Sequence, residues 1–146
     1  MDNTKLKGIF SRESDEWSTP DAFFQDLDRE FHFTLDPCAS DENHKCEWYY
    51  TKEQDGLSKD WSGHCVFCNP PYSEIARWTE KCYREGTKDN TTVVLVIPSR
   101  TDTQYFHNFI YHRSEIRFVE GRLRFSGMKV NAPFPSMIVI FRGAVT

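Results

Sequence analysis

The chain has 146 residues, a length that suits one domain with a single core. Hydrophobic residues make up 38% of it and charged residues 27%, and no apolar run approaches the roughly 18 residues that a membrane span needs. The polar N-terminus MDNTKLKGIF lacks the apolar region of a signal peptide, so we expect a cytoplasmic protein without a membrane partner.

The formal net charge of −4 is unevenly distributed. Residues 1–90 contain 11 basic and 19 acidic residues, whereas residues 91–146 contain 7 basic and 3 acidic residues. Six of the seven later cations are arginines: Arg100, Arg113, Arg117, Arg122, Arg124 and Arg142. The basic third could face phosphate, or the two parts could be differently solvated surfaces, and charge alone leaves both open.

Residues 1–16 show no hydrophobic period and are predicted to form a flexible N-terminal arm, which leaves residues 17–146 as the single domain. Apolar residues at helical spacing predict a helix over residues 20–31, capped by Ser18 or Thr19, with Pro20 in its first turn. A short strand at residues 33–35 should end at Asp36-Pro37.

The rest of the chain alternates strands with helices. A weak helical turn before residue 47 leads to a predicted strand at 48–50, a turn at Asp55-Gly56 and a strand at 64–68. A helix follows at 73–86, capped by Ser73 and stopped by Gly86. The remaining predicted elements are a buried strand at 91–97, a short helix within 102–112, a strand–turn–strand around Gly121 and a final strand within 133–143. This order predicts a three-layer α/β fold with a mostly parallel sheet and an antiparallel C-terminal hairpin.

The five cysteines, an odd number without a secretion signal, are interpreted as reduced structural thiols: Cys38, Cys46, Cys65, Cys68 and Cys82. Cys65 and Cys68 form a CxxC pair, which raises the alternative of zinc, with His44 or another cysteine completing the site. Residues three apart on a strand point to opposite faces, so we predict no metal site.

Polar residues follow three predicted strands or turns at Asp36, Asp55 and Asn69. Ligands of open α/β sheets bind beyond the carboxyl ends of the strands, so these groups are candidates for a site, although each could instead be a turn or capping residue. In Asn69-Pro70-Pro71-Tyr72, the Asn side-chain oxygen and the Pro70 carbonyl form two acceptors suited to an NH2 group, and the tyrosine ring can stack on a base. A plain Pro-rich turn explains the same spacing equally well.

Several segments in this order are similar to the small phage-type (Dam-like) DNA N6-adenine methyltransferases: WSTPDAFFQDLDREFHFTLDPCASDENHK, DGLSKDW, NPPYSEIARW, VVLVIPSRTDT and EIRFVEGRLRF. The resemblance covers residues 17–141, nearly the whole chain. It implies a Rossmann-like class I fold and a site-specific, adenine-specific DNA methyltransferase that transfers a methyl group from S-adenosylmethionine to N6 of adenine. Positioning and electrostatics would supply the catalysis, without a covalent intermediate.

The resemblance also implies roles for residues of this chain. The catalytic residues would be Asn69, Pro70, Pro71 and Tyr72. The cofactor would contact Trp17, Thr19, Pro20, Asp36, Pro37, Cys38, Asp55 and Asn69, with Asp36 near its amino-acid end and Asp55 at its adenine. Two departures stand out: the cofactor loop DPCASDEN contains no glycine, and the acid expected at the ribose has only Glu47 nearby, without a firm placement.

DNA would meet residues 99–104 and 121–125, with Arg100, Arg122 and Arg124 as the predicted DNA-binding residues. Each arginine could instead be a solvated surface cation. The chain has no room for a separate recognition domain, so we expect a short or relaxed target sequence, read by a monomer or shared across a homodimer. Two alternatives remain: methylation of a glutamine amide on a protein, and a catalytically inactive nucleic-acid-binding domain of the same fold.

Overall fold

The computed structural model describes residues 18–125 and 127–146. Trp17 and the predicted N-terminal arm, residues 1–16, lie outside these ranges. The helices are α1 (Asp21–Phe31) and α2 (Ile75–Gly86). The strands are β1 (Leu35–Ala39), β2 (Trp48–Thr51), β3 (Cys65–Cys68), β4 (Thr92–Pro98), β5 (Glu115–Phe118) and β6 (Ser136–Arg142). Short 3-10 turns cover Gly56–Ser58 and Tyr72–Glu74, and a five-residue π-helical segment covers Phe106–Ile110.

The six strands form one sheet in the order β2-β1-β3-β4-β6-β5. Neighbouring strands from β2 to β4 run parallel, whereas β6 runs antiparallel to both β4 and β5. This confirms a mixed α/β fold with a mostly parallel sheet and antiparallel C-terminal strands. The chain reverses its direction of winding between β1 and β3, and their carboxyl ends therefore open the crevice where such sheets bind ligands.

The core lies on both faces of the sheet, because alternate residues of a strand point to opposite sides. Val66 and Cys68 of β3 pack in one cluster with Trp78 of α2. Phe67 between them packs in a second cluster with Phe24 of α1, at a ring-centroid distance of 4.9 Å. β3 is thus covered on both sides, which explains why its sequence is continuously apolar rather than alternating.

Gly86 is the last residue of α2, at the position where the sequence predicted the helix to stop. Its importance is steric, since a Cβ at this position would lie 2.3 Å from the Cβ of Phe141 on β6. The glycine therefore lets the end of α2 approach the sheet closely. None of the helices in the described ranges is both long and apolar enough to cross a membrane.

The prediction that Pro37 ends the first strand is wrong. β1 continues through Pro37 to Ala39, and the pairing of β1 with β2 shifts register between Asp36 and Ala39. Proline lacks the N–H that a regular ladder requires, so it is tolerated where the ladder is already irregular.

The helix caps also differ from the sequence expectation. Pro20 occupies the N-cap of α1 and Glu74 that of α2, and neither position has a side-chain capping hydrogen bond. Ser73 instead lies inside the 3-10 turn that precedes α2. The helical turn expected before residue 47 is replaced by bends.

The predicted strand–turn–strand around Gly121 is wrong in its second strand. β5 pairs with β6, and the described residues between them, 119–125 and 127–135, contain no further strand. Leu123 and Phe125 are nevertheless buried, in the cluster on the α1 face of the sheet. Their alternating pattern arises from two side chains anchored in the core, not from pairing in a ladder.

Candidate active site

A cleft of about 1340 Å3 opens at the carboxyl ends of β1, β2 and β3. Seven of the predicted site residues line it: Thr19, Asp36, Pro37, Cys38, Asp55, Asn69 and Pro71. They come from four separate stretches of the chain, which the sheet brings to one edge. Pro20, Pro70 and Tyr72 adjoin lining residues in sequence but are not part of the described lining.

Asn69 directly follows the last residue of β3, so the strand end positions its side chain at the cleft. Its Nδ2 donates a hydrogen bond to Oγ1 of Thr19 at 2.9 Å. Thr19 is only 2% exposed and precedes α1. The amide that the sequence marked as catalytic is thus held by a residue 50 positions earlier.

Asp36 is a buried carboxylate that connects the end of β1 to the residues beyond the loop that follows it. One oxygen accepts from the backbone N–H of Cys38 at 3.2 Å, and the other accepts from that of Lys45 at 2.9 Å. Burial raises the pKa of Asp36 above its usual value, although the two backbone donors favour the charged form. The carboxylate therefore fixes the shape of a glycine-free loop, the one that the sequence predicted to contact a cofactor.

The close approach that a loop glycine would allow is supplied from the opposite wall. A Cβ on Gly56 would lie 2.3 Å from the carbonyl oxygen of Pro37. The carbonyl of Gly56 accepts a hydrogen bond from Nε1 of the fully buried Trp61 at 3.0 Å, which fixes the turn in place. The neighbouring Asp55 has a left-handed backbone, with φ of 58°, a conformation that aspartate tolerates better than most residues.

Carboxylates outnumber basic groups along the cleft. Six acids line it, namely Asp36, Asp41, Glu42, Glu53, Asp55 and Glu74, against the three basic residues Lys45, Lys52 and Arg77. Two of the three cations are already paired, Lys45 with Asp21 at 2.8 Å and Arg77 with Glu74 at 2.7 Å. The field in the cleft favours a cationic ligand over a polyphosphate.

Glu53 is a lining acid that the sequence reasoning missed. It comes just after β2 and faces the cleft, whereas Glu47 precedes β2 and so lies at the opposite end of that strand. Asp36 was selected because acids that follow the carboxyl end of a predicted strand are candidates for the site. The same rule, applied to the predicted strand at residues 48–50, points to Glu53.

Tyr72 packs edge-on against two rings of the connection between β5 and β6. Its centroid lies 6.2 Å from that of Phe125 and 5.4 Å from that of Phe134. Burial raises the pKa of the Tyr72 hydroxyl, and the positive charge of Arg100 partly opposes this effect. The ring of Tyr72 is therefore held in place by Phe125 and Phe134, and Arg100 lies near its hydroxyl.

Four of the six C-terminal arginines contact other groups of the protein, and one of them, Arg113, lies over the ring of Tyr83 at 5.7 Å. Arg117 and Arg142 pair with Glu115, and Arg117 also forms a bidentate pair with Glu30, so their charges are largely satisfied. Arg124 donates to the carbonyls of Met128 and Lys129 and closes a loop.

Arg100 and Arg122 behave differently. Both are exposed, and within residues 18–125 and 127–146 neither forms an ion pair. Two of the three predicted DNA-binding residues therefore carry a positive charge that no carboxylate of the described residues neutralises.

All five cysteines are free thiols. The sulfur atoms of Cys38 and Cys68 are 3.7 Å apart, and burial raises the pKa of Cys38 to about 11. At neutral pH this thiol is protonated and a poor nucleophile. In the described parts of the chain, no group of three or more His, Cys, Asp or Glu side chains could hold a metal ion.

The mostly parallel sheet, the cleft at its carboxyl edge and the Asn-Pro-Pro-Tyr turn that follows β3 are the features to compare with known proteins. The family model of the DNA N-6-adenine-methyltransferases (Dam) matches residues 8–144, and the chain belongs to that family. The resemblance inferred from the motifs is confirmed.

Two relatives come from phages. The chain is 28% identical over 137 residues to the DNA N-6-adenine-methyltransferase of Haemophilus phage HP1 (strain HP1c1), a match that covers 88% of this chain and 79% of that protein. It is 31% identical over 111 residues to the DNA N-6-adenine-methyltransferase of Escherichia phage T1, which covers 75% of this chain and 46% of that protein.

Proposed function

We propose that this protein methylates N6 of adenine in DNA with S-adenosylmethionine as the methyl donor, on a three-layer Rossmann-like methyltransferase fold. The observation that carries the proposal is the Asn69 amide, held by Thr19 beside an acid-rich cleft at the carboxyl edge of the sheet. The helices α1 and α2, which pack against opposite faces of β3, support the layered arrangement.

The cleft suits the proposed cofactor in charge and in chemistry. S-adenosylmethionine carries a sulfonium and an ammonium group, and the excess of carboxylates around the cleft favours such a cation. The loop held by Asp36 would receive its amino-acid end, and Asp55 would accept from the amino group of its adenine. Glu53, just past β2, is the best placed acid for the ribose hydroxyls. When bound, the cofactor supplies an activated methyl group.

The turn at residues 69–72 would hold the target base. The Asn69 oxygen and the Pro70 carbonyl would accept both hydrogens of the adenine amino group, which withdraws the nitrogen lone pair from the ring and directs it to the methyl group. The Pro71 carbonyl accepts from the N–H of Glu74 at 3.0 Å, which stiffens the turn. Tyr72, braced by Phe125 and Phe134, would stack on the base once it has flipped from the duplex.

DNA would contact Arg100 and Arg122. Both cations are exposed, and the charge of Arg100 acts on the Tyr72 hydroxyl, which brings this arginine near the proposed base site. Arg124 would contribute indirectly, because its side chain holds the backbone carbonyls of Met128 and Lys129. We propose a short or relaxed target sequence, read by a monomer or a homodimer. The phage origin of the relatives points to action in the bacterial cytoplasm.

The test is incubation of the purified protein with DNA and isotope-labelled S-adenosylmethionine, followed by digestion to nucleosides and mass spectrometry. We expect labelled N6-methyladenine from the native protein and none from Asn69→Ala, with cofactor affinity within about threefold. A matched control is Asn108→Ala, at an exposed asparagine outside the cleft whose backbone is not left-handed. Unchanged methylation by Asn69→Ala would refute the role of this amide.

The same preparation separates the two alternatives. Methylation of a glutamine-containing peptide in place of DNA would favour the protein-amide reaction. Failure to bind S-adenosylmethionine in a calorimetric titration would favour an inactive nucleic-acid-binding domain.

A further inference from the structure

An asparagine amide must face its substrate with one particular end. Its oxygen only accepts hydrogen bonds and its NH2 only donates them, so a rotation of 180° about the last side-chain bond reverses what it offers. The target amino group needs an acceptor. A flipped Asn69 would present a donor to another donor and lose the interaction.

In the structure the NH2 end of the Asn69 amide faces Thr19, whose hydroxyl oxygen accepts the hydrogen bond. Asn69 Nδ2 donates to Thr19 Oγ1 at 2.9 Å, an ordinary hydrogen-bond length, and Thr19 is shielded from water at 2% exposure. With the NH2 committed to the threonine, the amide oxygen is left at the other end of the group.

Thr19 is itself held by the packing of α1. The backbone N–H of Phe24 donates to the carbonyl of Pro20, the residue that follows Thr19, at 3.0 Å. The ring of Phe24 packs edge-on against Phe67 on β3, two residues before Asn69. Both ends of the hydrogen bond are therefore attached to one packed unit, which keeps their separation constant.

We propose that Thr19 is a positioning residue that orients the Asn69 amide for the target adenine, a role that rests on the proposed function. The family resemblance implies a different role for Thr19, contact with the cofactor. The two roles predict different kinetics, because orientation of the amide affects the turnover of bound substrates, whereas cofactor contact affects binding.

The experiment compares Thr19→Val, which keeps the shape but removes the acceptor, with Thr19→Ser, which keeps the hydroxyl. We expect Thr19→Val to lower kcat at saturating cofactor by about tenfold or more, with the Kd for S-adenosylmethionine within threefold of the native value. Thr19→Ser should recover at least a third of the native kcat. Thermal melts show whether each variant is folded.

Thr79→Val is the matched control. Thr79 is fully buried on α2, does not line the cleft, and its hydroxyl has no hydrogen-bond partner among the described residues. The same chemical change at this position should leave kcat within twofold, which separates a local effect at Asn69 from the general loss of a buried hydroxyl.

Three outcomes would overturn this role. Thr19→Val could keep kcat within twofold of the native value, or it could weaken cofactor binding while kcat at saturation stays native. Thr19→Ser could also prove as impaired as Thr19→Val. In each case the native protein still methylates DNA, so the proposed function survives. Absence of methylation by the native protein would overturn the proposed function and this role together.

Discussion

Gly56→Ala tests how a cofactor loop without glycine fits its ligand. The added Cβ would lie 2.3 Å from the Pro37 carbonyl oxygen and 3.1 Å from a ring carbon of Trp78, whereas ordinary contacts begin at 3.4 Å. The end of β1 and the turn at Gly56 must then separate by about 1 Å. Both segments line the cleft, so this displacement changes its width.

We expect Gly56→Ala to lower the free energy of unfolding by about 1–3 kcal/mol, the usual cost of overpacking a rigid neighbour. We also expect the Kd for S-adenosylmethionine to rise by about tenfold or more, which corresponds to ~1.4 kcal/mol of binding free energy. Urea denaturation measures the first quantity, and isothermal titration of the folded variant measures the second.

Gly86→Ala is a matched control because its Cβ would also meet a neighbour at 2.3 Å, the Cβ of Phe141, but away from the cleft. We expect a similar loss of stability with unchanged cofactor affinity. If Gly56→Ala binds the cofactor within twofold of the native protein, or if both variants lose affinity equally, the proposed fit between Gly56 and the cofactor loop is wrong.

Two further predictions concern DNA binding and pH. Arg100→Gln and Arg122→Gln should each reduce the slope of log affinity for duplex DNA against log salt by about 0.9, because each removes one phosphate contact. The control Arg84→Gln removes a cation that is paired with Glu80 and should leave this slope unchanged. Equal slopes for all three variants in fluorescence-anisotropy titrations would contradict the assigned DNA-binding surface. Burial raises the pKa of Cys46 to about 12 from a usual value near 9, so the stability it contributes is complete below pH 9 and is lost as pH rises toward 12. Between pH 10 and 11, Cys46→Ala should weaken the fall of unfolding free energy with pH by about 1.4 kcal/mol per pH unit, and equal slopes in urea titrations would contradict this.

The sequence on its own was enough to predict a mixed α/β fold and the family of the protein. Phe24 and Leu27 fall at helical spacing, and the apolar run that became β4 has the pattern of a strand covered on both faces, because local periodicity reflects which side of an element is buried. The Asn-Pro-Pro-Tyr segment could also be predicted to form a turn, since prolines restrict the backbone locally and the candidate acceptors are adjacent in the chain.

Contacts between distant segments were decided only by the tertiary structure. Thr19 meets Asn69 because α1 docks on β3, and Gly56 meets Pro37 because a turn after β2 folds back on the end of β1. Neither pairing leaves a periodic signal in the sequence.

In the connection between β5 and β6, the sequence predicted a strand pairing that does not form. Its alternating residues looked like a strand, but Leu123 and Phe125 were buried by packing on the α1 face, while β5 paired with β6. Alternation reports which side chains are buried and does not specify the hydrogen-bonding partner, which depends on strands that are far away in the chain.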